Sequence, residues 1–140
     1  MKIIKNVAEV NEKDFNEIQT IGGKLWIKRC FREPAGHISV EDFAPGDVFT
    51  WSFWHDEVHY ITKGKAEMTF SMPPFHQKEE TAVAEAGDIY MIYRGERITF
   101  KVISDEPYRH VCIIMPAVPL PSGDHLILDQ MLKGSDPAKK

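Results

Sequence analysis

Cysteine is scarce in this 140-residue chain, which has two, Cys30 and Cys112, each inside an apolar strand-like run. Neither shows Cys-x-x-Cys spacing or a neighbouring cationic motif, so we predict buried free thiols rather than a disulfide or a catalytic cysteine. Long apolar runs are also missing. The longest, residues 111–115, is far too short to span a bilayer.

Basic clusters are absent as well. Lys and Arg number 17 against 21 Asp and Glu, for a net charge of −4, and the basic residues are scattered. Nothing therefore indicates a nucleic-acid or membrane surface, and we expect neither partner. The first six residues lack the apolar stretch of a signal peptide, so the expected compartment is the cytoplasm. A 140-residue chain with 43% hydrophobic residues predicts one domain with a real core.

What the sequence does contain is a series of short alternating runs. Nine segments rich in β-branched and aromatic residues are separated by turns rich in Gly and Pro. They cover residues 25–31, 37–43, 50–54, 58–62, 65–70, 81–84, 89–92, 97–102 and 109–115. This pattern predicts an all-β barrel or sandwich with Greek-key or jelly-roll connections.

Helix is predicted only near the two ends of the chain. One or two helical turns are expected within residues 11–18, where Phe15 and Ile18 are three apart. One amphipathic turn is expected within residues 125–132, and residues 134–140 are predicted to be disordered.

The densest cluster of ionisable and aromatic side chains lies in residues 46–64, which read GDVFTWSFWHDEVHYITKG. Aromatic and β-branched residues dominate residues 50–54 and 58–62, and these runs favour strand. We predict that they form a hairpin with His55 and Asp56 at its turn.

One face of this hairpin carries the candidate chemistry. Successive strand side chains point to opposite faces, so Glu57 and His59 are predicted to join Trp51 and Phe53 on an inward-facing wall. Burying an unpaired carboxylate is costly, so Glu57 either has a raised pKa, pairs with a cation or binds a metal. The plainer alternatives are a solvated carboxylate at a hairpin corner and a histidine satisfied within the core.

Four further positions extend this wall. In residues 97–102, Ile98 and Phe100 alternate with polar residues and should point inward. With Trp51 and Phe53 they are either barrel lining or the wall of an apolar small-molecule pocket. His110 and Cys112 share a strand face and either complete that pocket or pack in the core.

A metal site is the main alternative to acid–base chemistry. His55, Glu57 and His59 alternate in the sequence, so all three could point one way. They would supply nitrogen and oxygen ligands to one divalent metal such as iron, zinc or manganese.

Two motifs resemble those of the cupin superfamily, whose members are small antiparallel β-barrels. The order Gly46, Glu57, Gly64 resembles the first cupin motif. Residues 87–102, GDIYMIYRGERITFKV, resemble the second, with Tyr93-Arg94-Gly95 in place of the usual Pro-x-Gly. The resemblance covers roughly residues 46–115.

The resemblance implies a single cupin domain over residues 1–140, with a barrel core of about 24–116, a short N-terminal extension and a C-terminal tail of 117–140. It also implies a homodimer. The histidines that usually bind metal fall on Trp51, Phe53 and Ile98. Of the four usual ligands only Glu57 is kept.

Among cupins the chain is most similar to the ectoine-synthase type, in which a glutamate, a tyrosine and a histidine hold iron. Residue by residue these fall on Glu57, Tyr90 and Ile98, so two of three are present and ectoine synthesis is not predicted. Without that metal role, Tyr90 is either a hydroxyl donor or a core aromatic. The chain also resembles the metal-poor ureidoglycine aminohydrolase-like and ethanolamine-utilisation cupins.

Together these patterns predict a cupin enzyme that acts on a small molecule by acid–base chemistry, of lyase, isomerase or cyclase type. Glu57 would be the base or the metal anchor, His59 a proton carrier and Tyr90 a hydroxyl donor. One alternative is a metal-dependent enzyme, such as an oxygenase, using Glu57 and Tyr90 with His55 or His59. The other is a binding module without catalysis.

Overall fold

The computed structural model describes residues 1, 3, 5–9, 15–20, 23–33 and 36–115. These residues form a short 3-10 helix, Val7–Glu9, and ten strands. The strands are β1 (Asn16–Thr20), β2 (Gly23–Glu33), β3 (Gly36–Phe43), β4 (Val48–Ser52), β5 (Asp56–Lys63), β6 (Lys65–Ser71), β7 (Glu80–Glu85), β8 (Ile89–Ile92), β9 (Arg97–Val102) and β10 (Tyr108–Met115).

The strands form two antiparallel sheets. The six-stranded sheet has the order β1-β2-β3-β10-β5-β8, and the four-stranded sheet has the order β4-β9-β6-β7. Their inner faces pack together, as shown by Phe43 of β3, whose ring lies 4.8 Å from that of Phe49 and 5.5 Å from that of Phe100. The predicted all-β barrel or sandwich architecture is therefore confirmed.

Alternation decides which side chains enter the core. In β9, Ile98, Phe100 and Val102 are buried while Arg97 and Lys101 are exposed. This is the pattern of an antiparallel sheet with one solvent-exposed face, and it places Ile98 and Phe100 inward as predicted.

The predicted hairpin between residues 50–54 and 58–62 is wrong. β4 pairs with β9 in one sheet, whereas β5 pairs with β10 and β8 in the other. After β4, the backbone of Phe53 bonds to the turn that carries Gly95 and Glu96, which leads it away from β5. Two packed sheets bury the inner faces of both segments, so the predicted inward direction holds although the pairing does not.

The N-terminal prediction also needs correction. Residues 16–18 belong to β1, which pairs with β2 through Asn16 and Ile27, rather than to a helix. Pairing with β2 supplies the backbone hydrogen bonds, and this tertiary context overrides a weak local period. β1 is also the strand missing from the nine that were predicted. Residues 11–14 and the predictions for residues 116–140 lie outside the described residues.

Gly64 lies where the chain passes from the six-stranded sheet into the four-stranded one. Its φ is +76°, and a Cβ there would lie 2.4 Å from the carbonyl oxygen of Pro107. Both the left-handed backbone and the close approach require glycine. The backbone at this crossing therefore packs directly against Pro107, the residue that precedes β10.

Candidate active site

β5 carries two ionisable side chains into the core. Its burial alternates, so Glu57, His59 and Ile61 face the interior while Tyr60 faces out. Glu57 is 8% exposed and His59 is 2% exposed. The predicted burial of both residues is confirmed.

His59 joins its neighbours through both ring nitrogens. Its Nε2 lies 3.1 Å from Oε2 of Glu57, and its Nδ1 lies 3.0 Å from the hydroxyl of Tyr90. Tyr90 is directly opposite His59 in the β5–β8 ladder, and its hydroxyl lies 2.8 Å from that of Tyr108. We call this series, Glu57–His59–Tyr90–Tyr108, the proton chain.

Cys112 approaches the same carboxylate from β10. It is opposite His59 in the β5–β10 ladder, and its Sγ donates to Glu57 Oε2 over 3.4 Å. The thiol is 1% exposed. One oxygen of Glu57 therefore contacts both an imidazole and a thiol.

A second carboxylate–imidazole pair lies beside the first. Glu41 of β3 is opposite His110 of β10, and its Oε2 lies 3.3 Å from Nε2 of His110. Ser39 donates its hydroxyl to the other oxygen of Glu41 over 2.7 Å. The imidazole contact has ion-pair distance without hydrogen-bond alignment, and His110 Nδ1 has no hydrogen-bond partner in the described part of the chain.

The two imidazoles are stacked. The ring centroids of His59 and His110 are 4.2 Å apart, with 21° between the planes. Two imidazolium ions at this separation would repel each other, so the stack favours at most one positive charge.

The two carboxyl groups titrate in opposite directions. Burial, reinforced by the charge of Glu41, raises the pKa of Glu57 to about 8, against a smaller opposing effect of the Cys112 hydrogen bond. Burial also acts to raise the pKa of Glu41, but His110 and Ser39 outweigh it and the net pKa is lowered. At neutral pH Glu57 is therefore mostly protonated and Glu41 ionised.

The remaining groups of the proton chain stay neutral. Burial, and then the charge of His110, lowers the pKa of His59 well below its usual value. Burial raises the pKa of Tyr90, and the neighbouring Tyr108 adds to this effect. Cys112 likewise has a raised pKa, mainly through burial.

The opposite side of the interior is apolar. We call it the apolar wall; it consists of the inward residues of β4, β6 and β9 together with the adjacent Phe53, namely Phe49, Trp51, Phe53, Ala66, Met68, Ile98, Phe100 and Val102. It contains all four aromatic and aliphatic residues predicted to bind substrate. Phe53 meets the ring of His59 edge-on at 6.4 Å, and Phe100 stacks near it at 6.4 Å.

The predicted metal ligands are only partly brought together. Among the described His, Cys, Asp and Glu side chains, one group of three could hold a metal ion: Glu57, His59 and Cys112. His55 is not a member. It lies at the corner before β5, where burial and the charge of Arg94 lower its pKa.

Tyr90 is not a direct neighbour of Glu57. The two residues bind different nitrogens of the same imidazole, so His59 lies between them. The usual cupin ligand positions do not fit a metal either, since Trp51, Phe53 and Ile98 offer no coordinating atom. The ligand set implied by the resemblance is therefore not available here.

Three residues of the site were not assigned to it from the sequence: Ser39, Glu41 and Tyr108. A signal existed for two of them, because Ser39 and Glu41 alternate with Phe43 in the predicted strand 37–43. Their parity would have placed both on the face of an aromatic core residue.

The chain matches known proteins at the level of family and fold. The profile of the family described as Ethanolamine utilisation protein EutQ matches residues 32–118. No curated protein sequence matches the chain significantly. None of the helices in the described part is both long and apolar enough to cross a bilayer.

Solved cupin structures share the fold at low sequence identity. The EutQ protein of Clostridium difficile is 20% identical, with a TM-score of 0.58 over 78% of this chain and 81% of that one. KdgF of Halomonas sp. is 15% identical, with a TM-score of 0.59 over 76% and 92%. Oxalate decarboxylase of Bacillus subtilis, which has Mn(II) centres, is 11% identical, with a TM-score of 0.59 over 79% of this chain and 30% of its own.

The fold evidence and the profile agree. The matched residues run from the end of β2 to just beyond β10 and thus contain both carboxylate–imidazole pairs. The chain belongs to the family described as ethanolamine utilisation protein EutQ, within the cupin superfamily.

Proposed function

We propose that this protein transfers protons to and from a small molecule inside the cupin sandwich, as an enzyme of lyase, isomerase or cyclase type. The observation that carries the proposal is the proton chain, in which a buried Glu57 is linked through His59 to Tyr90 and Tyr108.

The proton chain remains bonded whether Glu57 is protonated or ionised. A protonated Glu57 donates to Nε2 of His59, Nδ1–H then donates to Tyr90, and Tyr90 donates to Tyr108. When Glu57 is ionised, each of these bonds runs the other way. A group that gives up and regains a proton needs surroundings that satisfy both states, because an unsatisfied buried polar group costs about 1–3 kcal/mol.

Two carboxyl groups with opposite pKa shifts support the same chemistry. Such a pair identifies an acid and a base within one site. Glu57, with a pKa of about 8, is the proton donor at neutral pH. Glu41 stays ionised and holds His110 beside the stacked His59.

The groups facing the interior favour a carbonyl compound as substrate. Glu57, His59 and Tyr90 are neutral hydrogen-bonding groups, which suit a carbonyl oxygen or an enol better than a phosphate. Oxalate decarboxylase, by its name, acts on a small dicarboxylic acid, so a related fold already accommodates chemistry on compact oxygen-rich molecules.

The test is solvent exchange on a panel of small 2-oxo acids, aldehydes and keto sugars in D2O. We expect the protein to replace a C–H next to the carbonyl with deuterium, seen as loss of the proton NMR signal. Glu57→Gln should slow this at least about a hundredfold, as general acid–base catalysis contributes that much. The control is Glu80→Gln, an exposed residue at the start of β7. An unchanged rate in Glu57→Gln would remove Glu57 from the mechanism.

A further inference from the structure

The side chains of Glu57, His59 and Cys112 form a compact group of three different donor atoms. A carboxylate oxygen, an imidazole nitrogen and a sulfur lie within 4.8 Å of one another. Oε2 of Glu57 is 3.1 Å from Nε2 of His59 and 3.4 Å from Sγ of Cys112.

The two distances from Oε2 of Glu57 are close to those around a tetrahedral zinc ion. Zinc binds oxygen and nitrogen at about 2.0–2.2 Å and sulfur at about 2.3 Å, so neighbouring ligand atoms lie roughly 3.3–3.6 Å apart. The protons that now hold Glu57 against His59 and Cys112 occupy the place that a metal would take.

The strand register holds the ligands in position. Glu57 and His59 are two apart on β5 and share a face, and Cys112 of β10 is the direct partner of His59. Ligands on paired strands at the centre of a sheet need little rearrangement to bind a metal.

A neighbouring buried atom also indicates a ligand. His110 is fully buried on the same face of β10 as Cys112, yet its Nδ1 has no hydrogen-bond partner among the described residues. A buried polar atom without a partner is unusual in a native structure and is commonly satisfied by a bound water or ligand.

We propose that Glu57, His59 and Cys112 bind one divalent transition metal, with zinc as the favoured ion. A thiolate with an imidazole and one carboxylate selects zinc or cobalt over magnesium or calcium, which prefer oxygen alone. The site differs from the usual cupin centre. It uses the six-stranded sheet and replaces the donors lost at Trp51, Phe53 and Ile98.

This site goes beyond the proposed proton transfer and does not rest on it, although both use Glu57, so proton transfer is tested on metal-free protein. A metal bound to Glu57 Oε2 displaces the proton that the carboxyl group shares with His59, so metal binding and proton donation by Glu57 exclude each other. A failure to bind cobalt would leave proton transfer by the metal-free protein as proposed, and an absence of solvent exchange would leave cobalt binding as proposed.

Cobalt titration of the full chain, stripped beforehand with a chelator, tests the proposal. Thiolate ligation produces a sulfur-to-cobalt charge-transfer band in the near ultraviolet, which no oxygen or nitrogen ligand gives. We expect saturation at one Co2+ per chain, with the band present, and displacement of the cobalt by Zn2+.

Matched cysteine variants separate this site from adventitious binding. Cys112→Ser keeps the shape of the buried side chain and should abolish the charge-transfer band and weaken cobalt binding at least about tenfold. Cys30→Ser removes the other, partly buried thiol and should change neither.

Circular dichroism of each variant checks that the fold is retained. A band that survives in Cys112→Ser, or one that disappears in Cys30→Ser, would overturn the proposal. So would the absence of saturable cobalt binding in the parent protein. His59→Gln, which keeps a polar side chain at the second position, should also weaken binding at least about tenfold, and an unchanged affinity would count against the site.

Discussion

The two inner faces of this molecule differ in kind. The apolar wall on the four-stranded sheet offers aromatic and aliphatic side chains. The facing surface of the six-stranded sheet, which we call the polar wall, carries Ser39, Glu41, Glu57, His59, Tyr90, Tyr108, His110 and Cys112. The positions that match the usual cupin ligands lie on both sheets, with Trp51 and Ile98 on one and Glu57 on the other, whereas the interior ionisable groups described here lie on one.

This division separates stability from chemistry. Apolar burial is the main driving force for folding, so the apolar wall should dominate the free energy of unfolding. Buried ionisable groups contribute little stability and are found at functional sites. Substitutions on the two walls should therefore have different consequences. Three such substitutions, and a fourth on neither wall, test this from the largest effect to the smallest.

Phe100→Ala should have the largest effect. Phe100 is 1% exposed and its ring contacts Phe43, Phe49 and Phe53, so truncation leaves a cavity between the sheets. We expect a loss of about 3–5 kcal/mol in the free energy of unfolding, measured with urea. Lys101→Ala, the exposed next residue, should change it by less than about 0.5 kcal/mol. Similar losses in both variants would contradict the assignment of Phe100 to the apolar wall.

Glu57→Gln should alter the pH dependence of stability rather than simply lower it. Folding raises the pKa of Glu57 to about 8, so between its ordinary value and pH 8 the folded state holds a proton that the unfolded state has lost. The free energy of unfolding of metal-free protein therefore falls as pH rises through this window, by about 1 kcal/mol per unit, and becomes flat above it.

The glutamine variant lacks this proton and should lose that slope. Subtracting its stability from that of the parent at pH 6, 7 and 8 isolates Glu57, because His59 and Glu41 are present in both proteins. We expect this stability difference between parent and variant to change by about 2 kcal/mol from pH 6 to pH 8. Parallel curves would show that Glu57 is already ionised in the folded state.

Tyr90→Phe removes the hydroxyl that links His59 to Tyr108 while keeping the ring in the core. The loss should be about 1 kcal/mol, as for one buried hydrogen bond. Nitrogen NMR of the imidazole should also report a change at Nδ1 of His59. A spectrum identical to that of the parent would mean that the proton chain ends at His59.

Thr99→Val gives the smallest effect and concerns neither wall. The hydroxyl of Thr99 lies 2.9 Å from that of Thr50 across the β4–β9 ladder, on the outer face of the sheet. Such cross-strand pairs contribute about 0.2–1 kcal/mol, so we expect a loss of about 0.5 kcal/mol by urea unfolding. A loss above that of Tyr90→Phe would reverse the expected order.

Local alternation accounts for what the sequence could predict. Strand side chains have a period of two, so the inward direction of Glu57, His59, Ile98 and Phe100 depends on their own segments alone. The all-β barrel or sandwich followed from the same patterning, and the cupin superfamily was implied by the resemblance of the motif with Gly46, Glu57 and Gly64. None of this required knowing which strands pair.

Strand partners are non-local and explain what was missed. β4 and β5 are adjacent in sequence, yet β5 lies beside β10, about fifty residues away. The pairing of Glu41 with His110 depends on the β3–β10 register, and the approach of Cys112 to Glu57 depends on the β5–β10 register. A one-residue slip would turn each of these groups to the other face.

The contact at Gly64 links the seam between the sheets to the reactive groups. A methyl group there would press on the carbonyl of Pro107 and lie 2.9 Å from the Cα of Tyr108, the last member of the proton chain. Any larger residue at this crossing would therefore have to displace the start of β10, the strand that carries Tyr108 into the interior.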